Sequence, residues 1–138
     1  MNNNVKKVPK YWNYLPLLHT KMASTIYPNI YFPKEEYEDL VSNSPSLLVQ
    51  SILIHEKVHL KEQKKLGLLK FCFSYLLNKK FRLEQEILGI KEQMKFLKEN
   101  GENYDIDRKS KHFSGKEYGY LMKFEEARNL LTGLWENC

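Results

Sequence analysis

The sequence predicts a mostly helical α+β fold with one small sheet. Two long segments, 44–67 and 81–99, carry apolar residues at the three- and four-residue steps of amphipathic helices. A third segment, Thr25–Phe32, is rich in the β-branched and aromatic residues that favour strands. A chain of 138 residues has the size of one domain, and it can bury about two-thirds of its unfolded surface without a metal or disulfides. We therefore predict a single domain, 1–138.

The first 33 residues contain the predicted arm and the predicted strand. Residues 1–20 have aromatic side chains and two prolines without a regular period, which indicates an irregular N-terminal arm that packs on the core. Pro28 and Pro33 lack backbone donors, so we expect Thr25–Phe32 to be an edge strand. The sequence after Pro33 begins with a lysine and two glutamates and predicts a short helix through Val41.

The helix that follows has clear start and stop signals. Ser44 is the predicted N-cap, Pro45 takes the first helical position, and Gly67 ends the helix. The next segment, 68–77, is apolar on nearly all sides, so we expect a helix in the centre of the fold.

The C-terminal half is predicted to contain two further helices. One runs from about Phe81 to Glu99, and residues 102–115 form a polar irregular segment after it. The last helix closes the chain, and Ser114 with Glu117 has the spacing of a capping box at its start.

Composition and charge exclude several classes of protein. The net charge is +5, but 19 of the 22 basic residues are lysines scattered among glutamates, which indicates a solvated surface and argues against a nucleic-acid partner. No apolar run approaches the ~20 residues of a membrane span. The two cysteines, Cys72 and Cys138, form no disulfide framework, so a reducing, cytoplasmic setting is expected.

The strongest chemical motif is His55-Glu56-Lys57-Val58-His59, which lies inside the predicted helix of segment 44–67. Histidines four residues apart lie on one helix face and can bind one zinc ion. Glu56 projects about 100° away from His55, which suits a general base beside an open coordination position. The motif therefore predicts zinc ligands at His55 and His59 and a catalytic glutamate at Glu56.

A catalytic zinc site needs a third protein ligand from elsewhere in the chain. The longer metzincin pattern would place a glycine at Glu62 and a histidine at Lys65, so that class is excluded. The helix after Phe81 offers Glu84 and Glu86, which point about 200° apart, so only one of them can face the metal. Asp105 and Asp107 are weaker alternatives on a loop.

The motif, together with Glu84-Gln85-Glu86 on a later helix, resembles the gluzincin metallopeptidases, in particular their minimal single-domain members of the ImmA/IrrE type. In that family the glutamate ligand stands three residues before a small residue that an acid follows. The resemblance implies Glu84 as the ligand in preference to Glu86, although Ile87 and Leu88 then replace the small residue and the acid. It covers roughly 25–97.

The resemblance also implies a zincin-like fold and a zinc-dependent peptidase activity on a peptide or protein substrate. An edge strand over the active-site helix would receive the substrate as an additional antiparallel strand. A histidine or tyrosine would stabilise the oxyanion, with His112 preferred over Tyr104, Tyr118 and Tyr120. The alternative function is a catalytically inactive zinc-binding or regulatory module on the same fold.

Overall fold

The computed structural model describes residues 4–14 and 21–138. Within these residues the protein contains six α-helices, two short 3-10 helices and a three-stranded mixed sheet. The strands are β1 (Val5–Lys7), β2 (Ser24–Ile26) and β3 (Asn29–Phe32). The α-helices are α1 (Lys34–Leu40), α2 (Leu47–Leu66), α3 (Leu68–Leu77), α4 (Lys79–Glu99), α5 (Ile106–Ser114) and α6 (Phe124–Glu136). This confirms a mostly helical α+β architecture.

The sheet has the order β1-β3-β2, with β1 parallel and β2 antiparallel to β3. The predicted single strand Thr25–Phe32 is instead a hairpin, because the chain turns at Tyr27 and Pro28. β3 is therefore central, and β1 and β2 are the two edge strands. Part of the predicted irregular arm forms β1, whereas residues 1–3 and 15–20, including His19, lie outside the described residues.

Helix α2 begins two residues later than the sequence predicted. Ser46, and not Ser44, is the N-cap, and its hydroxyl accepts a hydrogen bond from the Val49 backbone N–H at 3.2 Å. Asp39 of α1 selects this serine, because its carboxylate accepts bonds from both the backbone N–H and the hydroxyl of Ser46, at 2.9 and 2.6 Å. A tertiary contact therefore decides between two local capping candidates.

Helix α3 has the predicted bounds but not the predicted central position. Phe71 is its one buried residue. Four large apolar side chains face solvent instead: Leu69, Phe73, Leu76 and Leu77. The prediction of a central helix was wrong. An apolar sequence shows that burial would be favourable, but it does not show whether other elements cover the helix.

The C-terminal region is more regular than predicted. Residues 106–114 form α5, with Asp105 as N-cap accepting from Arg108 N–H at 3.0 Å. The predicted capping box at Ser114 is absent, since a short 3-10 helix follows there and α6 begins only at Phe124. Buried Arg82 connects this region to α3, since its guanidinium donates to the carbonyls of Tyr75, Leu76 and Tyr118.

Two hydrophobic clusters flank the crossing of α2 and α4. One joins α4, α5 and α6 around Ile90, Met94 and Phe113, and the other joins the sheet to α2 around Phe32 and Val49. Polar side chains fill the space between the two clusters, where α2 and α4 pack against each other. No helix in the described ranges is long and apolar enough to cross a membrane.

Candidate metal centre

Three buried side chains from α2 and α4 converge on one point. His55 and His59 lie one turn apart on α2, and their Nε2 atoms are 3.0 Å apart. The carboxylate of Glu86 on α4 approaches both rings, with Oε2 3.4 Å from His55 Nε2 and Oε1 3.2 Å from His59 Nε2. Glu56 also offers a carboxylate oxygen, and the ligand atoms of His55, Glu56 and His59 lie within 4.8 Å of one another.

These separations match the dimensions of a zinc site. Zinc binds histidine nitrogen and carboxylate oxygen at about 2.0–2.1 Å in a tetrahedral arrangement, so two of its ligand atoms stand about 3.3 Å apart. The separation of 3.0 Å between the two histidine nitrogens is close to that edge length, and so are the separations of 3.2 and 3.4 Å from these nitrogens to the two different oxygens of Glu86. Oε2 of Glu86 is buried and has no hydrogen-bond partner among the described residues. The donor set and its spacing therefore fit a metal ion.

The glutamate at this point is Glu86 and not Glu84, which the sequence analysis preferred. Glu84 is exposed, whereas Glu86 is 3% exposed. Residues two positions apart on a helix point in nearly opposite directions, so packing of α4 against α2 can bring only one of the two inward. The same packing turns Leu88 to the surface, where its side chain is 42% exposed and supports neither histidine.

Gln93 contacts His55 and is placed where it could support this ring, as the family's acid would at Leu88. Its Oε1 lies 3.2 Å from His55 Nδ1, and its Nε2 donates to Ser51 Oγ at 3.1 Å. Ser51 in turn donates to the carbonyl of Leu48 at 2.6 Å, so it must accept from the amide N–H. This chain fixes the amide orientation and makes His55 Nδ1 the donor, which leaves the Nε2 lone pair for a metal.

Gly89 makes room for the ring of His55. A Cβ at Gly89 would lie 2.8–2.9 Å from three ring atoms of His55, closer than real contacts allow. Gly89 stands three residues after Glu86, which is the spacing of the small residue in the family pattern. This is the sequence signal that could have identified Glu86, since Ile87 stands at the corresponding position after Glu84.

We expect Gly89→Ala to weaken zinc binding by about 10- to 100-fold, because the added methyl group displaces a ligand ring. Overpacking should also lower the free energy of unfolding by about 1–3 kcal/mol, partly offset by the higher helix propensity of alanine, about 1 kcal/mol. The measurements are zinc competition with a chromogenic chelator and urea unfolding. The matched control is Gly133→Ala on α6, where nothing lies within 4 Å, so zinc affinity should stay unchanged. Equal zinc affinity in both variants would contradict the close packing of Gly89 on His55.

Glu56 is held by the edge strand of the sheet. The hydroxyl of Thr25 on β2 lies 2.7 Å from Glu56 Oε2 and 3.1 Å from the Glu56 carbonyl oxygen. Glu56 as a residue is 7% exposed, and its carboxylate stands next to the histidine pair. Thr25 therefore fixes the orientation of the side chain that the motif assigns as base.

The outer edge of β2 is partly occupied by a side chain of α2. Gln63 donates from Nε2 to the Thr25 carbonyl and accepts at Oε1 from the Tyr27 N–H, both at 2.8 Å. Its amide thus pairs with β2 as one peptide unit of a neighbouring strand would. This bond pair fixes β2 over α2 and covers the backbone groups of two edge positions.

Two donors from α3 and α5 complete the surroundings of Glu86. The Tyr75 hydroxyl donates to Oε1 at 2.8 Å, and the ammonium of Lys109 lies 3.6 Å from Oε2. Lys109 is 13% exposed, and it also donates to the hydroxyl of Tyr118 at 2.6 Å. Sequence reasoning missed both Tyr75 and Lys109, because nothing local marks an apolar-helix tyrosine or a single lysine for this contact.

The electrostatics of the centre favour an ionised carboxylate. Burial alone would raise the pKa of Glu86, but the charges of His59 and Lys109 and its contacts with both histidine rings hold that pKa well below the usual value. Burial alone would lower the pKa of His59, but Glu86 outweighs it, so the pKa of His59 is raised. Burial lowers the pKa of Lys109 while Glu86 and Glu56 oppose it. A metal would replace the proton on His59 as the partner of Glu86.

The remaining residues that the sequence suggested for the oxyanion or the metal have other contacts in the structure. Tyr118 reaches it through Lys109, and Tyr104 packs on the C-terminal hydrophobic cluster. Tyr120 is 66% exposed, and its carbonyl accepts from Lys79. His112 is half-buried on α5 and makes no hydrogen bond to His55, His59 or Glu86 within the described ranges. Asp105 caps α5, and Asp107 pairs with Arg128, so neither carboxylate contacts the histidines.

No protein-family model, curated protein or solved structure matches this chain.

Proposed function

We propose that this protein is a zinc-dependent metallopeptidase in which His55, His59 and Glu86 bind zinc and Glu56 is the general base. The observation that carries the proposal is the buried convergence of the two histidines and Glu86, with donor atoms spaced as a tetrahedral zinc requires. Glu56 stands beside that point, and its carboxylate accepts a hydrogen bond from Thr25.

A catalytic site is favoured over a structural zinc site by the number of ligands. Structural sites use four protein ligands, usually with cysteine, whereas three ligands leave a position for water. The neighbouring carboxylate of Glu56 supplies the base that such a water needs, as in the motif of zinc peptidases. A chain of 138 residues is also large enough to form a hydrophobic core without a metal, so stability alone does not require zinc.

The chemistry divides between the metal and the chain. Bound zinc would polarise the scissile carbonyl and lower the pKa of a water molecule. Glu56, oriented by Thr25, takes the proton from the attacking water and delivers it to the leaving amine. Gln93 and Gly89 keep the ring of His55 in place throughout.

The oxyanion requires a hydrogen-bond donor near Glu86. We assign this role to Lys109 or Tyr75, since their donor atoms lie 3.6 and 2.8 Å from the Glu86 carboxylate. Burial and the charge of Glu86 raise the pKa of Tyr75 well above its usual value, so its phenol keeps its proton. The sequence candidate Tyr118 acts through Lys109 in this arrangement.

We propose that an extended peptide binds along β2 as an additional strand. β2 is an edge strand, and its Thr25 contacts the general base, so a peptide paired there would cross the metal centre. Gln63 covers the edge at Thr25 and Tyr27, so a peptide that pairs with β2 replaces the two bonds of the Gln63 amide.

Zinc content and peptide cleavage test the proposal together. We expect the purified protein to contain about one zinc per chain by elemental analysis and to cleave members of an unbiased peptide library. Removal of the metal with a chelator should abolish cleavage, and added zinc should restore it. A chain that folds with no zinc and binds none when it is supplied would sink the proposal.

A catalytically inactive zinc-binding module is the second candidate function. Leu88 favours it, because the acid that supports a ligand histidine in the family pattern is absent there and the neutral amide of Gln93 contacts His55 instead. Full zinc occupancy without cleavage of any library peptide would support this module over the peptidase.

A further inference from the structure

One face of α3 exposes large apolar side chains on successive turns. We call it the α3 apolar face and define it by four residues: Leu69, Phe73, Leu76 and Leu77. Their exposed fractions are 75%, 63%, 54% and 82%. Soluble monomers rarely leave several such residues together on one helix, and a contiguous patch of this kind marks an interaction surface.

The opposite face of α3 is firmly attached to the protein. The ring of Phe71 packs 6.4 Å from the ring of His59 and stacks on Tyr75 at 5.8 Å. The Tyr75 hydroxyl bonds to Glu86, and Arg82 binds two carbonyls at the end of the helix. The apolar face is therefore presented outward by a helix with a fixed position.

The charge of the chain is concentrated around this helix. Residues 63–83 contain five lysines and one arginine and not a single acidic residue. This segment alone carries +6, so the remainder of the chain carries −1 against the total of +5. All five lysines are exposed: Lys64, Lys65, Lys70, Lys79 and Lys80. They lie before, beside and after the α3 apolar face.

We propose that α3 binds the surface of an anionic membrane, lying in the plane of the lipid headgroups with the α3 apolar face towards the acyl chains. An apolar helix face flanked by lysines is the pattern of interfacial helices, in which burial of apolar area and attraction to acidic lipids add.

A second copy of the chain fits less well, because two such faces would bring ten lysines together. Nucleic acid would leave the apolar side chains exposed. The proposal is independent of the peptidase activity, and it would place the metal centre directly above the lipid surface.

The test is sedimentation of the full chain with vesicles. We expect binding to vesicles of 70% phosphatidylcholine and 30% phosphatidylserine, little binding to phosphatidylcholine alone, and loss of binding at high salt. Leu69→Gln/Phe73→Gln should weaken binding on the order of 100-fold, and Lys70→Gln/Lys80→Gln about 30-fold. The changed side chains are exposed, so circular dichroism should show a folded protein in each case.

Matched controls alter the same residue types elsewhere. Lys91→Gln/Lys95→Gln on exposed positions of α4 and Leu48→Gln, at a leucine that is 55% exposed, should leave vesicle binding within about twofold of the parent. Equal binding to neutral and anionic vesicles, or loss of binding in the controls, would overturn the proposal. Self-association that requires Leu69 and Phe73, without vesicle binding, would overturn it in favour of a dimer.

Discussion

Glu86→Ala is expected to lower zinc affinity by more than about 100-fold, whereas Glu84→Ala should leave it unchanged. Glu86 brings carboxylate oxygens within 3.2 and 3.4 Å of the two histidine nitrogens, so its loss removes one of three ligands. Zinc content after dialysis and competition with a chelator measure the difference. Glu84 is the matched control, because it lies on the same helix with an exposed side chain.

Removal of Glu86 also leaves Lys109 without its nearest anion, so the substitution weakens the fold as well as the metal site. His59→Ala separates the two effects. It should remove zinc binding to a similar extent while it keeps the Glu86–Lys109 pair. Wild-type zinc content in Glu86→Ala together with zinc loss in Glu84→Ala would show that Glu84 is the ligand and that the geometric assignment to Glu86 is wrong.

The difference between Glu84 and Glu86 shows which part of the site the sequence determines. His55, Glu56 and His59 share one helix, so their mutual positions follow from helix geometry and could be predicted from spacing alone. The glutamate that faces the histidines depends on the rotation of α4 against α2, which is a tertiary property. Gly89 is the one local sign of this tertiary contact, since only a residue without a side chain leaves room for the ring of His55.

In the fold, too, the features set by local sequence could be predicted and those set by tertiary contacts could not. The bounds of α3 and the existence of α2 and α4 follow from local periodicity and end signals, and the structure confirms them. The exposure of α3 does not follow, because the apolar pattern carries no information about which elements cover it. The hairpin at Tyr27–Pro28 was also missed, although Pro28 and Asn29 interrupt the strand-forming residues and are both common in turns. Contacts of Lys109 and Tyr75 with Glu86 join three helices and leave no local signature.

Glu56→Gln is expected to reduce peptide cleavage by at least about 100-fold while zinc content stays near one per chain. The substitution keeps the size and a hydrogen-bond acceptor for Thr25 but removes the group that takes the proton from water. Single-turnover cleavage of a library-selected peptide and elemental analysis of the same sample give the two readouts. Because the histidines and Glu86 are untouched, any loss of activity with full zinc is a loss of the base.

Thr25→Val supplies the graded control for this role. It removes the hydroxyl that lies 2.7 Å from Glu56 Oε2 but keeps the base itself, so we expect a smaller loss of kcat, about tenfold, with unchanged zinc content. Undiminished cleavage in Glu56→Gln would contradict the mechanism. If the parent protein binds zinc and cleaves no peptide, Glu56→Gln and Thr25→Val cannot differ in activity. The candidate metal centre is then that of an inactive zinc-binding module. A hydroxyl that orients a carboxylate matters for rate only when that carboxylate moves a proton, so the ratio of the two losses tests the mechanism itself.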